Sequence, residues 1–154
     1  MTNVAASDTA ISIRPATAGD AGTVHRLMRE LAGHQGQEAG LSVTVDRLRE
    51  FLGRPEVTYL LAERDGRALG YVSWFDRPSL WSGDDYLALD DLYVCAGERG
   101  AGVGELLMRA AAGLAAGRVI RWEVGESNKA AQRFYERIGA TLTSKLICRW
   151  RVEA

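Results

Sequence analysis

The chain has 154 residues, 47% of them hydrophobic, which suffices for one domain with a sizeable buried core. A formal net charge of -1 gives no electrostatic reason to expect a nucleic acid or an anionic membrane as partner. The sequence has no apolar run near the ~20 residues of a membrane helix, and its start lacks a signal-peptide pattern. We predict a flexible tail over residues 1–10, a single domain over 11–154 and a cytoplasmic location.

The domain is predicted to begin with a strand and a helix. Ile11 and Ile13 alternate in the strand, which Pro15 ends. Apolar residues then recur at the three-and-four spacing of a buried helix face. These residues are Val24, Leu27, Met28 and Leu31.

A second helix and a hairpin follow. Thr44 is the expected N-cap of the helix, which stops before Pro55. Strands over 57–63 and 69–75 flank the pair Asp65-Gly66, a strong hairpin-turn signal.

The fourth strand, over 86–95, has an irregular pattern. Leu87 and Leu89 would lie on one face of a regular strand, whereas Leu92 and Val94 would lie on the other. One extra residue near the two acids between these pairs explains the change of face, so we predict a β-bulge there.

A glycine-rich turn joins the fourth strand to a helix with one apolar face. That face is formed by Val103, Leu106, Leu107, Ala110, Ala111 and Leu114. The helix must therefore begin among Gly100, Ala101 and Gly102, where its unpaired N–H groups and positive dipole end attract an anion. Arg99 adds a planar cation beside them.

Two common phosphate motifs fail at this turn. A P-loop needs Lys and then Ser or Thr after its last glycine, whereas Val103 and Gly104 follow Gly102. A dinucleotide fingerprint needs a third glycine where Glu105 stands. The pattern that remains is Arg99-x-x-Gly102-x-Gly104.

The end of the chain predicts a fifth strand over 119–124, a helix over 128–138 and two late strands, at Leu142 and over 146–152. Ser127 is the expected N-cap of the helix, and Gly139 suits the left-handed residue that ends it. Residues seven apart on a helix differ in direction by only about 20°. Asn128 and Tyr135 therefore share one face, with the short Ala131 between them.

The two motifs, Arg99-x-x-Gly102-x-Gly104 and Asn128-x(6)-Tyr135, resemble the acetyl-CoA elements of the GCN5-related N-acetyltransferases, and the resemblance runs from about Ile11 to the C-terminus. It implies an α+β fold. The expected sheet is mixed, mostly antiparallel and twisted, with about six or seven strands, helices on both faces, and a bulged fourth strand splayed from the fifth.

The resemblance implies acetyl-CoA as co-substrate and no metal. The residues expected to bind acetyl-CoA are Leu92, Tyr93, Val94, Arg99, Gly100, Ala101, Gly102, Val103, Gly104, Asn128, Ala131 and Tyr135. Tyr135 would protonate the departing thiolate, and the backbone N–H of Val94 or its neighbour would donate to the thioester oxygen. The alternative for Tyr135 is an ordinary core tyrosine. For the base we favour Asp90, beside Asp91.

Within the family the chain looks most like diamine and polyamine acetyltransferases. The segment Ile13-Arg14-Pro15-Ala16-Thr17-Ala18-x-Asp20 and the paired acids before Leu92 carry this resemblance. It implies a small-molecule primary amine, diamine-like or amino-acid-like, as acceptor. The residues expected to bind it are Glu38, Trp81, Asp90 and Asp91.

Three other functions stay open: acetylation of peptide or protein N-termini, acetylation of an aminoglycoside-type antibiotic, and a non-enzymatic acetyl-CoA sensor. We expect a homodimer through the late strands, where the run 146–150 is apolar. Cys95 and Cys148 are predicted to be reduced, buried thiols in strands.

Overall fold

The computed structural model describes residues 10–154, so residues 1–9 of the predicted tail lie outside the described part. The described chain forms two compact units, one ending at Trp122 and the other spanning Glu123–Ala154. None of the helices in the described part is long and apolar enough to span a membrane.

The first unit holds all the strands of the described chain and three of its α-helices. In chain order these are β1 (Ser12–Pro15), α1 (Ala21–Gln35), α2 (Val45–Leu52), β2 (Val57–Arg64), β3 (Arg67–Pro78), β4 (Asp85–Val94), α3 (Val103–Ala115) and β5 (Ile120–Arg121). The second unit holds α4 (Lys129–Arg137).

The five strands form one sheet in the order β1-β2-β3-β4-β5. Neighbours from β1 to β4 are antiparallel, whereas β4 and β5 are parallel. The predicted mixed, mostly antiparallel sheet is confirmed, although five strands are fewer than the sequence suggests. The β2–β3 turn is confirmed too, because Asp65 and Gly66 both have positive φ, 53° and 73°.

Helices cover both faces of this sheet, as predicted. One face packs against α1 and α2 in a cluster that comprises Val24, Leu27, Leu48, Tyr59, Leu61, Ala68, Tyr71 and Tyr93. Side chains alternate along a strand, so the buried Leu60 and Ala62 of β2 face the other way. On that side α3 contacts the sheet and buries Val103, Leu107, Met108 and Ala111.

The predicted bulge lies in β4 at Asp90. Ser73 of β3 pairs with Asp91, and the next residue, Trp74, pairs with Leu89, so Asp90 is the extra residue. The pairing of β4 with β5 stops before it, at Ala88. The fourth strand is therefore bulged and parts from the fifth, which confirms both features.

The end of the chain departs from the predicted strands. β5 covers only Ile120–Arg121 of the predicted 119–124. The strands predicted at Leu142 and over 146–152 are wrong, because these residues join no ladder. Leu146 and Trp150 are 95% and 88% exposed. Alternating apolar residues form a strand only where a neighbouring strand supplies hydrogen bonds and cover, and this segment pairs with none.

Side-chain caps were predicted correctly for one helix and wrongly for another. The Thr44 hydroxyl accepts a hydrogen bond from the Arg47 amide at 3.1 Å and begins α2 as expected. In α4 the cap is Asn128, whose Oδ1 accepts from the Ala131 amide at 3.1 Å, and not Ser127. An Asn side chain caps as well as a Ser side chain, so the motif alone did not fix the start.

Both cysteines are free thiols, as predicted, but only one is sheltered. Cys95 is half-buried directly after β4, where burial first and the charge of Glu30 second raise the pKa of its thiol. The prediction of a buried Cys148 in a strand is wrong, because Cys148 is exposed and joins no ladder.

The N-terminal segment that resembles diamine acetyltransferases has a structural role. The Arg14 guanidinium bridges Asp20 and Glu63, with both ion pairs at 2.8 Å. The backbone N–H of Thr17 also donates to Asp20, at 2.7 Å. These bonds, with that of Arg14 first, hold the pKa of Asp20 well below its usual range. They tie β1 to β2 and to the start of α1.

We expect Gly70→Ala to destabilise the fold. A Cβ at Gly70 of β3 would lie 2.3 Å from the Tyr93 carbonyl oxygen, so the sheet must shift to admit it. Overpacking of this kind costs roughly 1–3 kcal/mol. Gly113→Ala is the matched control, because its Cβ meets nothing within 4 Å and the site lies inside α3. Alanine there should stabilise the helix by roughly 0.5–1 kcal/mol. Urea unfolding of both variants tests the prediction, which equal stability of the two would contradict.

Candidate active site

The glycine-rich turn leads directly into α3, where the sequence predicts an anion site. The N-cap of α3 is Gly102, in the left-handed conformation with φ 80° and without a side-chain cap. The first intrahelical bond runs from the Leu106 amide to the Gly102 carbonyl at 3.0 Å. The amides of the first turn therefore keep their donors for a ligand.

The space above this turn suits a pyrophosphate. Gly100 also has positive φ, 83°, and a Cβ added to Gly100 or Gly102 meets nothing within 4 Å. Any side chain there would strain the backbone and fill the space through which a ligand approaches the amides. The residues present thus fit the diphosphate of acetyl-CoA.

Arg99 lies beside the same turn and is held at the end of β4. Its Nε donates to the Val94 carbonyl oxygen at 3.2 Å, and its guanidinium lies 6.0 Å from the centre of the Tyr93 ring. Its Nη1 lies 3.3 Å from Nε2 of His34, in the last turn of α1. These contacts hold the Arg99 side chain near the end of β4 and the last turn of α1.

The β4 backbone beyond the bulge offers two N–H groups. The Cys95 amide donates to the Leu69 carbonyl of β3 at 2.8 Å. Because direction alternates along a strand, the N–H groups of Val94 and Leu92 point away from β3. They face the side where β5 has parted from β4. A carbonyl oxygen lying along this edge can accept a hydrogen bond from either group.

A cavity of about 160 Å³ lies between α1, the segment after it and the bulged strand. It is lined by Met28, Leu31, Ala32, Gln35, Gln37, Gly40, Leu41, Tyr71 and Asp91. Asp91 is the only charged side chain among these lining residues, and most of the others are apolar or carry amides. The cavity therefore presents one carboxylate in a largely neutral surrounding.

The pKa of the Asp91 carboxyl group is raised above its ordinary value. Burial first, and the charge of Asp90 second, raise its pKa from 3.8 to about 6, against the opposing effect of a hydrogen bond from Tyr71. That bond joins the Tyr71 hydroxyl to Asp91 Oδ2 at 3.3 Å. Burial also raises the pKa of Tyr71 above its usual range, so the phenol stays a donor. A carboxylate of this kind can exchange a proton near neutral pH.

The structure separates the two acids that the sequence places together. Asp90, the bulged residue, is exposed, whereas its neighbour Asp91 is half-buried and lines the cavity. The bulge thus brings one carboxylate to the cavity and leaves the other close enough to raise the pKa of the first.

Two residues predicted to bind the acceptor lie outside this cavity. Glu38 is exposed in a short helical turn, although its neighbours Gln37 and Gly40 line the cavity. Trp81 is fully exposed in the loop between β3 and β4. That loop borders a second cavity, of about 720 Å³, whose charged lining residues are Asp84, Asp85, Arg118 and Arg121.

The second motif is a regular helix within its own unit. Asn128 caps α4 through Oδ1, so its side-chain amide keeps its N–H donors. Tyr135 lies two turns later, with its ring 5.3 Å from that of Phe134. Asn128, Ala131 and Tyr135 follow the predicted helical spacing.

Sequence reasoning missed Tyr71 as the partner of Asp91. The signal was the strand register, because Tyr71 and Ser73 of β3 share one parity, and Ser73 lies opposite Asp91. None of the α1 residues that line the cavity is among the predicted site residues.

Comparison with known proteins agrees with this geometry. Residues 25–140, which include the bulged strand, the glycine-rich turn and α4, match the sequence profile of the acetyltransferase (GNAT) family. The chain belongs to this family. It is an acyl-CoA-dependent N-acetyltransferase, and the GNAT family uses acetyl-CoA.

Two kinds of relative extend the comparison. The chain is 29% identical over 143 residues to thialysine N-epsilon-acetyltransferase of Bos taurus, with 84% of each chain covered. Its fold is similar to an aminoglycoside acetyltransferase from an uncultured soil metagenomic sample, with a TM-score of 0.81 and 14% identity over 94% of this chain and 97% of that one.

A ribosomal-protein-alanine N-acetyltransferase of Brucella melitensis is similar too, with a TM-score of 0.73 and 23% identity over 92% of this chain and all 100% of that one. At these identities the two structural matches show the fold alone. These relatives of the GNAT fold are named for acetylating different amines.

We expect Asp91→Asn to stabilise the protein above pH 6. Because the folded-state pKa of about 6 exceeds the ordinary 3.8, the folded chain binds more protons between these values, and stability falls as pH rises through that window. At pH 7.5 the ionised carboxylate costs about 3 kcal/mol, and asparagine removes this cost while still accepting from Tyr71.

Thermal unfolding of wild type and Asp91→Asn at pH 4 and pH 7.5 checks this expectation. The variant should gain stability at pH 7.5 and differ little at pH 4. An equal effect at both pH values would contradict the raised pKa.

Proposed function

We propose that the enzyme transfers the acetyl group of acetyl-CoA to the primary amine of a small molecule, diamine-like, polyamine-like or amino-acid-like, without a metal. The observation that carries the proposal is the single carboxylate, Asp91, in the 160 Å³ cavity beside the bulge. An alkylamine, with a pKa near 10.4, reaches the cavity as a cation and must lose a proton before it attacks. Asp91 can both attract that cation and accept its proton.

Asp91 is the stronger candidate for the base, although the sequence alone favoured Asp90. It lines the cavity and has a pKa of about 6, whereas Asp90 is exposed. In the proposal Asp90 contributes charge, which raises the pKa of Asp91 and attracts the cationic amine. The acetyl group arrives activated as a thioester, so proton transfer and positioning are the tasks left to the protein.

The remaining roles follow from the backbone and from the family resemblance. The N–H of Val94 donates to the thioester oxygen, with Leu92 and Tyr93 lining the approach. Tyr135 protonates the departing thiolate. Because the phenol pKa near 10 lies above the free thiol value near 8.5, this proton transfer requires close contact between the two groups. Asn128 and Ala131 hold the pantetheine arm, and the amides of Ala101, Val103 and Gly104 with the Arg99 guanidinium hold the diphosphate.

We further propose that residues 11–154 act as one cytoplasmic catalytic domain. Glu38 and Trp81 would contact the far end of a longer acceptor. A homodimer through the run 146–150 would cover Leu146 and Trp150, which are 95% and 88% exposed. Sedimentation of wild type and Trp150→Ser tests this dimer, and a monomeric wild type would reject it.

Acetyl-CoA-dependent thiol release tests the function on diamines, polyamines, lysine-like amino acids, aminoglycosides and peptide N-termini. We expect turnover on the small amines and its loss in Tyr135→Phe. Turnover only on aminoglycosides or peptides would replace the proposed acceptor. CoA binding with no turnover would favour a sensor.

The two acids provide a matched pair of variants for the base. We expect Asp91→Asn to lower kcat/KM about 100-fold or more, because general-base catalysis contributes that much. Asp90→Asn, which removes the same charge one residue away, should lower kcat/KM less than about tenfold, because Asp91 keeps its cavity position.

The pH dependence of the same reaction is a second check on the base. In wild type kcat/KM should rise with pH through about 6 as Asp91 ionises, and the Asp91→Asn profile should lack that inflection. An unchanged profile in Asp91→Asn would reject Asp91 as the base.

A further inference from the structure

Glu98 links the glycine-rich turn to a distant hairpin. It ends the short helical turn Ala96–Glu98, directly before Arg99. Its carboxylate accepts from Arg64 Nη1 at 3.2 Å and from Arg67 Nη2 at 2.6 Å. These arginines flank the turn of the β2–β3 hairpin, 34 and 31 residues away in the chain.

The glutamate of this contact is sheltered from solvent, whereas its two arginine partners are more exposed. The Glu98 side chain is only 13% exposed, while those of Arg64 and Arg67 are 30% and 68% exposed. A carboxylate this little hydrated needs both partners, so the ion pairs fix its position. The hairpin that carries them is formed by β2 and β3, which each pair with a neighbouring strand on both sides.

The segment that follows Glu98 needs such an anchor. Gly100 and Gly102 both have positive φ, and glycine loses more conformational freedom than any other residue when it is ordered. An untethered loop of this composition samples many conformations, and few of them present the first amides of α3 together.

We propose that Glu98 is a positioning residue for the co-substrate. Its bond to Arg64 and Arg67 holds residues 99–102 in the conformation that presents the α3 amides and Arg99 to the diphosphate of CoA. The inference rests on the proposed use of acetyl-CoA at this turn, and it concerns binding of CoA and not the acceptor.

If Glu98 positions the loop, removing its charge should change the affinity for CoA in one direction; if Glu98 only repels the anion, the change should be in the opposite direction. Glu98 carries a negative charge two residues before Gly100, so it repels an anion bound at the turn. Removing only that charge should tighten CoA binding if Coulomb repulsion is what matters. Removing it should weaken CoA binding if Glu98 holds the loop.

Calorimetric titration with CoA measures whether the Kd of CoA rises or falls. For Glu98→Gln we expect the Kd of CoA to rise about tenfold, as it does when the competent conformation falls to about one-tenth of the population. The kcat at saturating acetyl-CoA should stay within about twofold, since the loop is competent once the ligand is bound. Glu50→Gln is the matched control, an exposed glutamate paired with Arg47 in α2, and its Kd should not change.

A charge-reversal experiment tests the proposal independently of the Glu98→Gln result. Glu98→Arg should weaken CoA binding, although it adds a positive charge, and the added change Arg67→Glu should restore most of the lost affinity. Unchanged or tighter binding in Glu98→Gln or Glu98→Arg would overturn the proposal, and so would the absence of rescue. Normal CoA binding by wild type without turnover on any amine would reject the acceptor proposal alone.

Discussion

One extra residue in β4 determines which side chains reach the candidate active site. Leu89 and Leu92 are three residues apart, so a regular strand would point them to opposite faces. They nevertheless pair with Trp74 and Val72 of β3, which are two residues apart and lie on one face. Only an insertion can keep both leucines on the α3 side of a strand whose side chains alternate. Asp90 is that insertion, and the residue after it, Asp91, lies opposite Ser73 on the side of α1.

The same bulge positions the groups proposed for two parts of the reaction, the carboxylate that accepts the proton and the backbone N–H groups that face the thioester oxygen. It puts a carboxylate in the cavity under α1, and it lies where β4 stops pairing with β5, so the N–H groups of Leu92 and Val94 remain at an open edge. The half-buried acid costs stability at neutral pH, because burial and the charge of Asp90 oppose its ionisation. A cost of this kind at a polar cavity is typical of a site selected for reactivity.

Local signals predicted a large part of this arrangement. The parity change around Asp90, the glycines before α3 and the Asp65-Gly66 turn each act over a few residues, and the structure has all three features. Features set by distant residues were not predictable in this way. The contact of Asp91 with Tyr71 depends on strand register, and that of Glu98 with Arg67 joins residues 31 apart. The apolar pattern over 146–152 predicted a strand, but a strand requires a partner that the pattern does not specify.

The proposed role of Asp91 as base depends on a carboxyl pKa near neutrality. A carbon-detected NMR titration of the carboxyl groups, with the Asp91 signal assigned by its loss in Asp91→Asn, measures that pKa. We expect a midpoint of about 6 for that signal. A midpoint near 3.8, the ordinary value for an aspartate, would contradict it.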